Sequence, residues 1–286
     1  MSPTGTSTGS KIARRSRRVR IIVVLVLTVV AVIWLVPFVY MIDVSLRLPQ
    51  DTFNPSLIVG HITFVNFQTV IAGNPLGQDF VNSAVIALVT VALVVGCAAG
   101  FSFGVSVLKV PYGAAMYGLI LTTLTVPIAA LVVPLAVLLN RLGLLNNDLG
   151  LIGPYTALGI PFAVVILKGF MDTLSREVME AAAVDGVTSW QLFMRIVMPM
   201  LKPSLIFIAT WQFITSWNEF FLALVVMTHS NHFTLPLVPE QYAGTYLGNA
   251  GAEFAILVLI ALPLIVVYLF VQRWFVAGLL EGAVKA

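Results

Sequence analysis

Six uninterrupted apolar runs, at residues 21–42, 80–107, 113–139, 151–171, 204–227 and 252–272, decide what this chain can become. As a helix rising about 1.5 Å per residue, each is long enough to cross about 30 Å of hydrocarbon. Lipid offers no partner to an unpaired backbone amide, so only helices and closed barrels can span it. The runs are apolar on every face, without the alternation a barrel strand needs. With 59% hydrophobic and 9% charged residues, the chain also lacks the polar side chains to cover a soluble globule. The fold class that follows is all-α: an integral membrane protein with six transmembrane helices.

Orientation follows from the Lys and Arg positions. An N-terminus in the cytoplasm and six crossings put Lys11, Arg14, Arg15, Arg17, Arg18, Arg20, Lys109, Lys168, Arg176, Arg195, Lys202, Arg273 and Lys285 at the inner face, leaving Arg47 and Arg141 outside. That bias favours an N-in, C-in topology. The net charge of +3 and pI near 9.1 do not point to nucleic acid, because six of the basic residues form one juxtamembrane cluster suited to anionic lipid. A cleavable signal peptide would have a shorter apolar run and a small-x-small site, so the first run reads as a retained anchor. The lone Cys97 reads as a small buried hydrophobe. The chain divides into a disordered basic tail at 1–20, a first span at 21–42, an outer segment at 43–79, a helical core at 80–275 and a cytoplasmic tail at 276–286.

Residues 173–200 form the long polar, helix-forming stretch between two spans, on the cytoplasmic side of this topology. Thr173 or Ser175 can cap a first helix that the three alanines 181–183 favour, and Gly186 supplies a left-handed stop. Thr188 and Gln191 have the spacing of a capping box for a second helix, which Pro199 ends. The result is a helix-turn-helix projecting from the bilayer. Small Ala181 and Ala182 permit close approach, Glu180 can pair with a partner's basic group, and Asp185-Gly186 turns the chain sharply enough to enter a cleft.

The fifth span carries the most polar intramembrane surface. At about 100° per residue, Gln212, Thr215, Ser216 and Glu219 share an arc, with Trp211 and Asn218 at its edge. A carboxyl at mid-membrane costs roughly 2.5–3.5 kcal/mol, so Glu219 should face protein or water, and helical counting from Ser204 puts it in the outer half. These amides and hydroxyls suit a polar substrate path with Trp as a stacking face, or interhelical bonding. Prolines at 127, 134, 154, 161 and 263 kink helices or bend them around a path, with Thr122, Thr123 and Thr125 placed to satisfy carbonyls near Pro127. His229 and His232 are three apart, but no Cys or carboxylate accompanies them, so they read as loop histidines and no metal is expected.

Glu180-Ala-Ala with Gly186, Phe193, Ile196 and Pro199, Asn82-Ser83, Arg141-Leu-Gly-Leu-Leu-Asn-Asn, Trp217-Asn-Glu-Phe-Phe and the tail Ala277-Gly-Leu with Gly282-Ala-Val-Lys together resemble one family. It is that of the permease subunits of binding-protein-dependent ABC importers, of the maltose and glycerol-phosphate type. The resemblance implies a type I importer permease fold in a bacterial or archaeal cytoplasmic membrane, paired with a second permease subunit. It also implies two ATPase subunits that hold ATP and magnesium, and an extracytoplasmic sugar-binding protein. Glu180, Ala181, Ala182, Asp185, Gly186, Phe193, Ile196 and Pro199 would then be the ATPase-coupling residues, and the tail from Gly278 would reach into the ATPase dimer. No G-x-x-x-x-G-K-[ST] loop occurs, so the chain is expected to bind no nucleotide cofactor and to catalyse nothing. An ion-coupled secondary sugar transporter is the alternative, although Glu219 is nearly solitary among the spans; a membrane-embedded enzyme would need converging acids, bases or metal ligands.

Overall fold

The computed structural model describes residues 7–52, 61–243 and 249–283. The outer-segment residues Phe53, Pro55 and Ile58 and the last three residues of the tail lie outside them. Among the described residues every regular element is helical. The chain runs through α1 (Ser7–Ser45), α2 (Val65–Gly73), α3 (Leu76–Ser106), α4 (Gly113–Thr123), α5 (Ile128–Arg141), α6 (Leu149–Met171) and α7 (Arg176–Val184). It continues through α8 (Ser189–Gln191), a π-helical segment (Leu192–Val197), α9 (Met198–Met200), α10 (Lys202–Trp217), α11 (Phe221–Val226) and α12 (Ala250–Ala283).

Four helices, in α1, α3, α6 and α12, are long and apolar enough to cross a membrane unbroken. Two further helix pairs pass only jointly: α4 with α5, bent by 97°, and Ser189–Met200 with α10, bent by 78°. The expected third span at 113–139 is therefore not one rod. Pro127 has no N–H and forces its predecessor out of helical geometry, so the helix stops at Thr123 and restarts at Ile128. The three threonines donate their hydroxyls to the carbonyls of Leu119, Ile120 and Thr122 at 2.7 Å, but the carbonyl four residues before Pro127, that of Thr123, is taken by the Val126 amide at 3.2 Å instead. By contrast, Pro134, Pro154, Pro161 and Pro263 sit inside continuous helices.

The expected fifth span at 204–227 is also interrupted, because α10 ends at Trp217 and α11 begins at Phe221. The first helix starts at Ser7 rather than near 21, so part of the tail read as disordered is helical, and α12 continues to Ala283 within the tail placed at 276–286.

α3 and α6 pack along one another, and α10 lies against both and against α12. Their shared core divides into a cluster around Ile86, Tyr155 and Leu222, a second around Trp217 and Ile256, and a third around Val94, Val164 and Ile208. α1 leans on α12, and none of its most apolar stretch is buried. Its end is instead held by Asn66, whose Nδ2 donates to the carbonyls of Ser45 at 3.0 Å and Arg47 at 2.8 Å. Arg47, read from sequence as an outer-face charge, is fully buried and bonds Asp43 through Nε at 2.8 Å. Cys97 is exposed on the surface of α3, not buried as its type suggested.

Polar contacts mark the two ends of the bundle. At one end Asn82 donates to the Phe233 carbonyl at 3.0 Å, Ser83 accepts from the Leu235 amide at 2.8 Å, and Asn146 accepts from the amides of Thr228 and His229. At the other, the last residues of α3 and α6 meet α7 around a shared cavity. The 173–200 stretch thus lies at the end opposite the 228–243 loop, as alternating crossings require.

Candidate functional site

The polar residues of α10 open onto a cavity of about 270 Å³ bounded by α6, α10 and the α4–α5 break. Trp211, Gln212, Thr215, Ser216 and Glu219 all line it, opposite Tyr155, Leu158, Gly159 and Phe162, with Leu124 and Ile128 contributed by the break. The Trp211 ring is exposed and tilted against Phe162, centroids 5.1 Å apart. Gln212 is buried; its Nε2 donates to Ser216 Oγ at 2.9 Å, one turn along the same helix rather than across to a neighbour. It presses on Gly159 so closely that a Cβ there would stand 2.2 Å from Gln212 Oε1. Thr215 donates to its own helix at the Trp211 carbonyl.

Two sequence expectations change here. Asn218 does not line the cavity: it is exposed and donates back to the Ile214 carbonyl at 3.0 Å. Glu219 lines it without sharing the helical arc, because α10 has ended two residues earlier, and depth counted along a helix no longer applies. Its carboxylate accepts from the amides of Leu222 at 2.8 Å and Ala223 at 3.1 Å, neutralising the open start of α11. It also accepts from Tyr155 Oη at 2.6 Å. Three donors thus hold the acid, and charge-assisted bonds of this kind are about twice as strong as neutral ones. Tyr155, Gly159 and Phe162 were not singled out from sequence. A tyrosine and an acid 64 residues apart on different helices have no fixed spacing to betray them.

The second assembly is the helix-turn-helix. α7 ends at Val184, and Gly186 adopts φ +71°, the left-handed stop anticipated for it. The capping box forms in full: Thr188 Oγ1 accepts from the Gln191 amide at 3.3 Å, and Gln191 Oε1 accepts from the Thr188 amide at 3.0 Å. Asp185, Glu180, Ala181 and Pro199 are exposed, Ala182 is buried, and Phe193 and Ile196 are half-buried. Phe193 stacks obliquely on Phe103 at 4.9 Å and on Trp190 at 5.8 Å, tying the second helix to α3. Pro199 does not end that helix; it sits in α9, which runs to Met200 before the 78° bend at Leu201. Just before it the backbone widens into a π-turn, in which the Met198 amide reaches Phe193 O. The proline has no N–H for the carbonyl four residues back, and the wider turn accommodates its ring.

Two large apolar side chains stand out at the tip, Val184 at 87% and Trp190 at 68% exposed. Glu180 lines a cavity of about 440 Å³ between α7 and the bundle, together with Ser106, Lys109, Lys168 and Asp172, and so faces its own chain's lysines. Lys168 Nζ bonds Asp172 at 2.6 Å and lies 4.8 Å from the Tyr117 ring centroid. Burial works against ionisation of Asp172, but the bonded Lys168 ammonium, the Ser106 hydroxyl and the nearby charge of Lys109 outweigh it and hold the carboxyl below the ordinary aspartate range. His229 and His232 lie in the opposite loop, and no group of three or more metal-ligating side chains occurs among the described residues.

The chain as a whole is similar to known proteins. The family described as the binding-protein-dependent transport system inner membrane component matches residues 92–281, and the chain belongs to it. The trehalose transport system permease protein SugB of Mycobacterium tuberculosis is 30% identical over 88% of this chain and 92% of its own length. The melibiose/raffinose/stachyose import permease protein MelC of Bacillus subtilis is 27% identical over 96% of this chain and 99% of its own. A solved bacterial ABC transporter involved in the import of the acidic polysaccharide alginate superposes with a TM-score of 0.75, at 20% identity, covering 96% of this chain and 100% of that one. That last likeness is one of fold. The chain is a multi-pass membrane permease component of an ABC importer.

Proposed function

We propose that this chain is one permease subunit of an ATP-driven importer that carries a sugar or sugar derivative delivered by an extracytoplasmic binding protein. It sits N-in, C-in in a bacterial or archaeal cytoplasmic membrane, beside a second permease subunit and above two ATPase subunits that hold ATP and magnesium. Relatives named for trehalose and for melibiose, raffinose and stachyose support the cargo class.

One observation carries the reading. The exposed turn at Asp185-Gly186 and the wall of the inner cavity lie at opposite ends of nearly continuous helix, α8 through α10, interrupted only by the 78° bend. Force applied by a partner gripping Val184, Asp185, Gly186 and Trp190 passes along that helix to Trp211, Gln212 and Ser216. Tight packing of Phe193, Val197 and Leu201 against Phe103 and Met171 keeps the inner arm from slipping on the bundle. Glu219, already held by three donors, serves as a fixed corner of the path, while Trp211 and Phe162 offer apolar faces to a sugar ring.

The test is Gly186→Val. A β-branched residue at φ +71° costs roughly 1–2 kcal/mol locally and reshapes the exposed turn without touching the spans. The variant is expected to insert and fold, yet to lose ATPase association or binding-protein-stimulated ATP hydrolysis. Normal uptake by this variant would overturn the coupling role. Uptake that survives ATP depletion but collapses with the ion gradient would instead establish the secondary-transporter reading.

A further inference from the structure

The cavity beneath α7 has an unusual lining for the end of a membrane bundle. Two cations, Lys109 and Lys168, and two anions, Asp172 and Glu180, surround about 440 Å³, and Val107, Met171, Leu174 and Met179 supply apolar walls. The charges balance, so neither a simple anion nor a simple cation matches the site. Only the Lys168–Asp172 pair is closed by a direct bond, and Lys109 acts on Asp172 through its charge. Ser106 is only 8% exposed and its hydroxyl lies against Asp172, adding a neutral donor to the charged wall of the cavity.

Ser106 closes α3 and Met171 closes α6, so the cavity lies where two apolar helices end, at headgroup level in a bilayer. We propose that the cavity binds the headgroup of a zwitterionic aminophospholipid. The phosphate takes donors from Lys109, Lys168 and Ser106, the primary ammonium takes acceptors from Asp172 and Glu180, and the upper acyl chain follows the methionine and leucine wall outward. A quaternary ammonium has no N–H to give the two carboxylates, and a glycerol headgroup brings no positive charge to them, so selectivity for the primary amine follows from the lining. Because Glu180 belongs to α7, the bound headgroup would bridge the projecting helices and the bundle.

The inference rests on the membrane reading but not on the identity of the cargo, and its test separates the two. The assembled transporter is purified in detergent, and lipid retention is counted by native mass spectrometry after addition of phosphatidylethanolamine, phosphatidylcholine or phosphatidylglycerol of matched chains, or of soluble phosphoethanolamine. One phosphatidylethanolamine per copy of this chain should be retained at least about tenfold more tightly than either other lipid, the loss that one or two charged hydrogen bonds represent. Lys109→Ala and Ser106→Ala should each erase most of that preference. Lys109 is exposed and its truncation leaves the core intact. Equal retention of all three lipids, or a preference untouched by Lys109→Ala, overturns the proposal. Equally tight binding of soluble phosphoethanolamine would show that the lipid is not the ligand. Sugar-stimulated ATP hydrolysis measured on the same sample tests the importer reading independently.

Discussion

Glu219 shows how one carboxylate can look like a cargo ligand in sequence and turn out to be a structural restraint as well. Its oxygens are shared among two backbone amides of α11 and the Tyr155 hydroxyl. Glu219→Gln keeps the shape but removes the charge that makes those bonds strong, and is expected to destabilise the protein by about 1.5–3 kcal/mol, read as a lowered unfolding midpoint in detergent. Tyr155→Phe removes one donor and leaves the other two in place, so its cost should be smaller. Equal costs would mean that Tyr155 alone anchors the acid. At Gly150 the constraint is steric: a Cβ would stand 2.2 Å from the Leu144 carbonyl oxygen, which is backbone and cannot rotate away. Gly150→Ala should therefore lower stability by about 1–3 kcal/mol, whereas Gly153→Ala on the same helix, with nothing within 4 Å, should not. Residue roles were legible wherever chemistry is local, as at Gly186 and in the Thr188–Gln191 box. They were not legible where partners come from different helices, as with Tyr155 and Glu219 or Gly159 and Gln212.

At the scale of the element, the apolar runs located the helices well and their breaks poorly. A hydropathy run records what lipid tolerates, and a chain bent through 97° can be as apolar as a straight one. Pro127 marks a full interruption while Pro154 and Pro161 sit inside a continuous helix. Ahead of Pro127 the amides of Leu124, Thr125 and Val126 take the carbonyls three residues back, and threonine hydroxyls at 122, 123 and 125 add bonds to neighbouring carbonyls, so the interrupted end carries its own polar partners. The capping box is testable in isolation. Thr188→Ala leaves an amide at the start of α8 unpaired in an exposed segment, and should loosen the helix by about 1 kcal/mol, visible as faster amide exchange over 189–193. Asp172 makes a pH prediction for the same end of the molecule. Its carboxyl titrates below the ordinary aspartate range, so the contact with Lys168 stabilises the fold fully above that range and is lost as pH falls through the lowered pKa. Asp172→Asn should flatten the acid limb of the stability profile and leave the profile near neutrality unchanged in slope.

For the whole molecule, the fold class and the placement of the polar lever at one end were readable from charge and hydropathy, because both are set by the bilayer. What escaped the sequence was the bend in the third apparent span, the interruption of the fifth between Trp217 and Phe221, and the meeting of the α4–α5 break with α6 and α10 around one chamber. Orientation is open to a direct check. In a background with Cys97 replaced, a single cysteine at Asp185 should react with a membrane-impermeant maleimide only in inverted vesicles, and one at Asn231 only in right-side-out cells; the reverse pattern would invert the assigned sides.

The 78° elbow at Leu201 has a mechanical consequence of its own. The twelve residues before it and the sixteen after it make two arms of roughly 18 and 24 Å, and together they form a crank whose pivot is pressed against Phe103 and Met171. Turned by 5° about that pivot, the longer arm moves its far end by about 2 Å, comparable to the interface helix shifts of 1–2 Å that switch other proteins. A small, stiff rotation at the water boundary is enough to redraw the chamber wall, with no helix needing to melt or slide.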